Sequence, residues 1–494
     1  MTWLLSSLLL VVQNPAPAAD PVTKATVLWQ AGQFDQALDL LESSLRSNPG
    51  SAPLWSLQGS VLRSQAERLI ATGGKGFAIQ ATYMDAAASF RRASEMTRPP
   101  DSATFVGWSD AAHRGGDADQ GIAACDQGLA SLPGDASILY QRGRVREGQS
   151  AAAGDRNEAD RLRTLAIADY RAVTDTGQWL GASYSRVAVL LAAGARPKEA
   201  RAAWLEALSR DPMGADHRTL AGTNQPASLV AMYDEALAGI QRGIANPPTG
   251  MGRLYWWAGW HTWATQDPTR ARDRFRQALK ADPTLLNAAY YVAKTSTELF
   301  DAKGAIQGWT TYAKADMEGL IATVRAGGEA EIQNAVQGMV WCIDEAVQSR
   351  DLRTAALLAR IHANLEPESA DAWNNLGLFL RDSNQDEESL KAYETALALT
   401  PDDPDVLNAT AVVLHYNLQR EYPRARALYE KAIAESEKVL ASDQASAAAR
   451  RQAETAKFDA KNNLAKLAIR EEREKRKRER EEKKKGQRGT GGQD

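Results

Sequence analysis

The sequence contains few of the residues and motifs on which enzymes and metal proteins depend. Among 494 residues there are only two cysteines, Cys125 and Cys342, and five histidines. Two thiols do not make a disulfide framework, and neither a CxxC nor an HExxH spacing is present to hold zinc. No GxSxG nucleophile elbow occurs, and no GxGxxG motif follows a strand pattern. We therefore expect a protein that is not an enzyme, with no catalytic residues, cofactor or metal.

An excess of charge of one sign is missing as well. The 59 basic and 62 acidic residues leave a net charge of −3, whereas domains that bind nucleic acid usually carry a strong basic excess. The hydrophobic fraction of 44% is ordinary for a folded protein. The charge balance therefore argues against a nucleic-acid partner. Because 494 residues are too many for one compact core, the sequence indicates several domains or an elongated array.

The first 19 residues differ in composition from the rest of the chain. Residues 4–12 form a short apolar run, and the PAPAAD that follows contains a small-x-small cleavage pattern. The run is too short to span a bilayer. We predict a signal peptide over residues 1–19 and export to the periplasm or cell envelope. The alternative is an apolar N-terminal helix that packs on the body of a cytoplasmic protein.

A pattern with a period of 34 residues runs along most of the sequence. Its clearest copy contains, in order, Trp373, Leu376, Gly377, Leu380, Ser389, Tyr393, Ala396 and Pro401. Other copies keep the second half of the pattern: Ala200, Trp204, Ala207 and Pro212; Ala271, Phe275, Ala278 and Pro283; and Ala305, Trp309 and Tyr312. The pattern resembles the tetratricopeptide repeat, with Leu380 and Ser389 in place of the usual Tyr and Ala.

The resemblance implies an all-α fold, a right-handed superhelical solenoid of helix-turn-helix units. Small residues such as Gly259 and Gly377 would let the first helix of a unit approach the second closely, and proline would close the unit because it cannot continue a helix. Each unit would bury its apolar face against its neighbours. Cys125 and Cys342 fall at packing positions and are interpreted as core thiols.

Breaks in the 34-residue register predict the domain organisation. We expect an N-terminal array over 20–220, an irregular helical connector over 221–251 and a C-terminal array over 252–440. Residues 441–485 read as a capping helix that continues into a charged helix, and 486–494 as a disordered tail. The charged part, REEREKRKREREEKKK, could contact an acidic partner or an anionic surface; the alternative is a solubilising tail.

The segment YWWAGWHTWA, residues 255–264, carries the main functional hypothesis. Tyr255, Ala258 and Gly259 belong to the packing stripe of a first helix, whereas Trp256, Trp260 and Trp263 form a second stripe. In proteins that resemble this family, the second stripe lines the inner groove of the superhelix. Extending the stripe to later units predicts a partner-binding groove formed by Arg253, Trp256, Trp260, Trp263, Asn287, Tyr290, Lys294, Asn374 and Asn408.

The resulting hypothesis is a non-catalytic scaffold that binds a peptide or a partner helix in this groove. The family's carboxylate clamp for peptide C-termini needs several basic residues, and only Arg253, Lys294 and Arg381 are candidates here, so that ligand is not supported. One alternative is a structural or assembly factor of a cell-envelope complex. Another is a glycan-binding module that uses the tryptophans. In a third, the tryptophan stripe only packs internally, against residues 228–248 or against a neighbouring superhelical turn.

Overall fold

The computed structural model of this chain describes residues 20–243 and 247–489, with side chains up to residue 482. The predicted signal peptide over 1–19 and the last five residues of the predicted tail lie outside these ranges. Within them the structure contains 24 α-helices and one π-helical turn, and no strand. An all-α fold is therefore confirmed for the described part of the chain. Two compact units divide the chain, residues 1–254 and 255–494.

The first unit is built from helices of 7 to 21 residues. Its helices are α1 (Pro21–Gln30), α2 (Phe34–Ser47), α3 (Ala52–Ala71), α4 (Gly76–Met96), α5 (Ser102–Arg114), α6 (Ala118–Ser131), α7 (Ala136–Ala152), α8 (Arg156–Asp175), α9 (Leu180–Ala193), α10 (Pro197–Arg210), α11 (His217–Thr223) and α12 (Pro226–Gly243). A turn over residues 72–75 joins α3 and α4, which are both lengthened to about twenty residues.

The second unit begins inside the tryptophan-rich helix and ends with a long helix. Its helices are α13 (Met251–Ala264), whose first four residues belong to the first unit, α14 (Pro268–Ala281), α15 (Leu286–Glu298), α16 (Ala302–Ala315), α17 (Met317–Ala326), α18 (Glu329–Gln348), α19 (Leu352–Leu365), α20 (Ala370–Asp382), α21 (Asp386–Leu399), α22 (Pro404–Val412) with the π-helical turn Val413–Asn417, α23 (Tyr422–Ala441) and α24 (Ala447–Gly489).

Local sequence explains where many of these helices begin and end. Aspartate occupies the N-cap of α14, α16 and α19, where Asp267, Asp301 and Asp351 each accept a hydrogen bond from a backbone N–H of the first turn. Pro283 and Pro401 lie in the turns that close their units. These two signals recur with the repeat, so the same turn is specified each time.

Consecutive helices pack as antiparallel pairs, and glycine sets how closely they approach. A Cβ atom on Gly259 would lie 2.8 Å from Cδ1 of Phe275, and one on Gly377 would lie 2.8 Å from Cδ1 of Tyr393. No real Cβ contact is that short, so these positions require glycine. The expectation that small residues bring the two helices of a unit together is confirmed at both positions.

Helix α24 packs along α22 and α23 before it extends beyond them. Its buried face contains Ala453, Ala456, Ala460 and Leu467. The nearby Phe458 is 67% exposed. The face follows the three- and four-residue steps of a helical stripe, and Phe458 falls outside it. No helix among residues 20–243 and 247–489 is long and apolar enough to cross a membrane.

Candidate functional site

The three tryptophans of the predicted stripe form a continuous column on α13. The rings of Trp256 and Trp260 are stacked, with centroids 6.4 Å apart and an interplanar angle of 3°. Trp263 continues the column at 5.6 Å from Trp260. All three indoles are half-buried, so each leaves part of its ring surface in water. Spacing of four and three residues is what places them on one face of the helix.

Tyr291 of α15 lies at the centre of the column. Its ring centroid is 5.5 Å from those of Trp260 and Trp263 and 6.5 Å from that of Trp256. On its other side it stacks on Phe275 at 5.0 Å. Burial raises the pKa of Tyr291 to about 12, so the phenol stays protonated. One side of the column therefore packs α13 against α15, and another side is exposed to solvent.

Two of the predicted groove residues, Tyr290 and Lys294, share one carboxylate partner. The hydroxyl of Tyr290 donates to Glu331 Oε1, and Lys294 Nζ donates to Glu331 Oε2 at 2.5 Å. Burial and the Glu331 carboxylate raise the pKa of Tyr290, which keeps it a hydrogen-bond donor. Lys294 Nζ also lies 5.2 Å from the centroid of Trp263, within cation–π range. This ammonium thus connects the tryptophan column to α18.

A cleft of about 460 Å³ opens beside Lys294, between α15 and α18. Its aromatic lining consists of Phe300, Trp309 and Trp341. Glu298 and Glu331 stand among the lining residues as well. Trp263 Nε1 donates to the Glu298 carboxylate at 3.1 Å, so the end of the column and the cleft share a residue. The volume falls in the range of small-molecule and side-chain pockets, about 300–1,000 Å³.

The cleft exists because the repeat is interrupted at this point. Helix α17 is inserted between α16 and α18, and α18 has 20 residues where most of its neighbours have 13 or 14. The first turns of α18 bring Glu331 to α15, while Gly338 reaches Thr297, whose Cγ2 would be 3.1 Å from a Cβ at that glycine. Between these contact points the two helices leave a gap, and Trp309 of α16 lines it.

The other predicted groove residues do not all join this site. Arg253 and Asn287 are exposed at the beginning of α13 and α15. Asn374 is half-buried on α20. Asn408 on α22 is in contact with the C-terminal helix, since its Oδ1 accepts from Asn463 Nδ2 at 3.3 Å. The site that the described side chains bring together therefore consists of the tryptophan column, Tyr290 and Lys294.

Sequence reasoning missed the residues of the cleft, although a signal was present. The repeat pattern places Trp309 on the packing face of its unit, and the pattern does not distinguish Phe300, Glu331 or Trp341. The step from Ala305 to Ala355 is longer than the 34-residue period by one helix. Such an excess in the middle of an array marks a place where neighbouring units cannot pack in the usual way, and hence a candidate cleft.

The two cysteines, Cys125 and Cys342, lie in the packed interior. Both cysteines are buried, and burial raises the pKa of Cys125 to about 11 and that of Cys342 to about 12. Thiols in that state are poor nucleophiles. Among the residues that the structure describes, no cluster of His, Cys, Asp and Glu could hold a metal ion.

Comparison with known proteins identifies the repeat. A family model described as TPR repeat matches residues 379–419, and one described as Tetratricopeptide repeat matches residues 22–69. No curated protein matches the sequence.

Solved structures with a likeness to the chain are TPR proteins with low identity. YrrB is 16% identical, with 46% of this chain and 97% of YrrB covered and a TM-score of 0.25. The TPR domain of P58(IPK) is 14% identical, covering 83% and 98%, with a TM-score of 0.22. Yeast Tom70 is 12% identical, covering 92% and 90%, with a TM-score of 0.23. Scores this low support no functional argument.

The two matched segments lie near opposite ends of the chain, and helix pairs lie between them. The same close contact between a glycine and an aromatic ring occurs at Gly59, Gly143, Gly259 and Gly377. The chain contains tetratricopeptide repeats.

Proposed function

We propose that this protein is a non-catalytic scaffold that binds a peptide or a partner helix along the tryptophan column of α13 and the adjoining surface of α15. Tetratricopeptide repeats support protein–protein interaction, and the family is generally non-catalytic. One observation carries the finer proposal. The column of Trp256, Trp260 and Trp263 keeps ring surface in water after Tyr291 has taken its place among the three rings.

Energetics favour a binding role for this surplus surface. Large rigid rings supply contact area with little loss of side-chain entropy, which is why tryptophan is enriched at the centres of interfaces. Lys294 Nζ, paired with Glu331, adds a polar group beside Trp263, and Asn287 adds an exposed amide on α15 one helical turn before Tyr291. The surface therefore combines apolar anchors with polar groups.

Site-specific photocrosslinking tests the proposal in the protein's own host. Benzoylphenylalanine at Asn287, which is exposed on α15, should capture a protein partner. The matched control carries the same group at Gln277, exposed on α14, and should not capture that partner. Replacing Trp256 with leucine should reduce the Asn287 crosslink. Equal capture from Asn287 and Gln277, or capture unaffected by Trp256→Leu, would contradict binding along the column.

The same experiment separates the glycan alternative. A crosslinked species that resists protease and is released by glycosidase would show that the tryptophans stack on sugar rings.

The charged end of α24 forms a second, separate part of the proposal. Arg426 pairs with Glu471, and Tyr422 donates to Glu474 at 3.3 Å. From Lys475 to Glu482 the helix is exposed. We propose that this arm contacts an acidic partner or an anionic surface. Binding to vesicles containing anionic lipid should fall steeply with salt, and a chain truncated after Glu474 should lose it. Retained binding by the truncated chain would contradict this role.

Export is proposed from the sequence of residues 1–19. Sequencing the N-terminus of the protein isolated from its host tests it, with Ala19 or Asp20 expected first. An intact Met1 would place the protein in the cytoplasm, and the envelope-assembly alternative would then fail as well.

A further inference from the structure

Phe300 occupies a position where the repeats otherwise have small or polar residues. The turn between the two helices of a unit requires a left-handed residue, and this place is taken elsewhere by Gly32, Gly116, Ala195, Gln266, Arg350 and Asn384. Phe300 has φ +54° and its side chain is 86% exposed. A bulky residue in this conformation costs on the order of 1 kcal/mol. Neither backbone preference nor burial explains a phenylalanine here.

The phenylalanine forms one wall of the cleft between α15 and α18. Its ring meets that of Trp341 edge-on, with centroids 6.4 Å apart and an interplanar angle of 78°. Ala335 and Gly338 line the cleft from α18. The result is an apolar chamber with two aromatic walls, which would gain from enclosing a bulky apolar side chain at roughly 25 cal/mol per Å² of surface removed from water.

Trp309, which lines the same cleft, has an indole N–H that makes no hydrogen bond within the described residues. Its side chain is 2% exposed, and its Nε1 is buried. A buried donor without an acceptor costs roughly 1–3 kcal/mol. An occupant that brings an oxygen to this nitrogen would recover that cost, and an occupant with only carbon atoms would not.

The charges beside the cleft favour a cationic occupant. Glu298 and Glu331 provide two carboxylates, and Lys294 provides one ammonium, which is already bonded to Glu331. Glu298 is exposed and accepts only an indole N–H from Trp263 among the hydrogen bonds observed for it. The remaining negative charge lies on Glu298, the more exposed of the two carboxylates.

We propose that this cleft selects a peptide segment in which a bulky apolar or aromatic residue is flanked by lysine or arginine. The apolar side chain enters between Phe300 and Trp341. A carbonyl oxygen of the segment accepts from Trp309 Nε1, and the flanking cation pairs with Glu298. The inference rests on the proposed function, because it names the kind of partner segment that the scaffold selects.

The test uses defined peptides and the full chain. Fluorescein-labelled peptides with a central Lys-Phe-Lys, Lys-Ala-Lys or Glu-Phe-Glu between Gly-Ser spacers are titrated by anisotropy. Lys-Phe-Lys should bind about tenfold more tightly than either of the others, because each lacks one half of the recognition. An octyl glucoside titration, read by competition, tests a lipid-like or sugar occupant.

Variants of exposed residues on α18 connect the binding to the cleft. Asn334 is exposed and lines the cleft, so Asn334→Trp should block it and weaken Lys-Phe-Lys binding about tenfold. The neighbouring Gln333 is exposed and does not line the cleft, and Gln333→Trp should bind as the wild type does. Trp309→Phe should weaken binding severalfold because it removes the N–H, and Glu298→Gln should remove the preference for lysine over glutamate.

Several outcomes would overturn the inference. The inference fails if no peptide binds, if Asn334→Trp and Gln333→Trp bind equally, or if the three peptides bind equally. It also fails if octyl glucoside displaces the labelled peptide and the unlabelled Lys-Phe-Lys peptide does not. Failure of the column leaves a different pattern. If Lys-Phe-Lys binding is lost in Asn334→Trp but kept in Trp256→Leu, the cleft is the binding site and the proposed column is not.

Discussion

Helices α13 and α20 have the same place in their repeats and differ on one face. When they are aligned on Gly259 and Gly377, each glycine lies against the aromatic ring of its partner helix, Phe275 in one case and Tyr393 in the other. This face is interchangeable between the two helices. It records what the fold requires of a first helix, namely a small residue where the two backbones come closest.

The other face of the two helices has nothing in common. Where α13 has Trp256, Trp260 and Trp263, α20 has Asn374, Leu378 and Arg381. Packing within the repeat does not determine these positions, since the same architecture accepts both sets. Residues that packing does not determine therefore distinguish one unit from another. We expect α13 and α20 to be equivalent on one face and different on the other.

The largest difference in stability is expected when a side chain is truncated on the face where α13 and α20 differ. Trp260→Ala removes a ring that contacts Trp256, Trp263 and Tyr291, and we expect a loss of about 3 kcal/mol, the lower end of the range for tryptophan truncation because the ring is half-buried. The aligned change Leu378→Ala should cost about 1 kcal/mol. Hydrogen exchange of α13 and α20 amides measures both locally, as a repeat array requires.

Equal costs for these two truncations would contradict the contrast. Such a result would mean that the tryptophan column makes no larger contribution to the second unit than a single half-buried leucine does.

The face that carries Gly259 in α13 and Gly377 in α20 should respond equally to substitution in the two helices. Gly259→Ala and Gly377→Ala each place a methyl group 2.8 Å from a ring carbon, and we expect both to lose about 2 kcal/mol through overpacking, after the better helix propensity of alanine is included. Hydrogen exchange of the two helix pairs is again the measurement. A loss at one position and a gain at the other would show that the two repeats do not share this packing.

The fold was predictable from the sequence because its determinants repeat. A glycine, an aromatic residue and a proline at fixed spacing recur in many units, so errors at single positions, such as Ser389 for alanine, do not matter. Hydroxyl Oγ of Ser389 is simply accommodated by donating to the carbonyl of Gly377 at 2.7 Å. A period is a property of the whole chain and survives local exceptions.

The site was predictable only in part because it depends on a single interruption. The tryptophan stripe follows from spacing within one helix, but which neighbour meets it does not. Tyr290 was expected to face the groove, yet it is 5% exposed and bonded to Glu331, while Tyr291 lies among the indoles. One residue along a helix turns the side chain by about 100°, and helix packing angles decide which of the two is inserted.

Acid should destabilise α13 more than α20. His261 is buried, and burial lowers its pKa to about 4, whereas the aligned residue of α20 is Phe379, which does not titrate. The folded state keeps this imidazole neutral while the unfolded chain takes up a proton below about pH 6.5. Stability contributed by the neutral form is therefore present above that pH and decreases as the pH falls toward 4.

We expect α13 to lose roughly 1 to 2 kcal/mol between pH 7 and pH 5 from this group. Hydrogen exchange corrected for the intrinsic pH dependence measures it, with His261→Phe as the matched variant. If α13 in the His261→Phe protein loses as much protection at pH 5 as in the wild type, the imidazole is not the cause.

The smallest contrast concerns the last residues of the two stripes. Trp263 Nε1 donates to the Glu298 carboxylate of the next unit at 3.1 Å, whereas the aligned Arg381 pairs with Asp382 of its own helix at 2.9 Å. The first contact links two repeats and the second links none.

In a double-mutant cycle, Trp263→Phe with Glu298→Gln should show a coupling of about 0.5 kcal/mol, modest because the bond is exposed to water. Arg381→Gln with Asp382→Asn should show a coupling no larger than an exposed ion pair gives, and it should not change the exchange of any neighbouring unit. If the second cycle also changes the hydrogen exchange of α22, then both α13 and α20 are coupled to the next unit through this face, and the contrast is wrong.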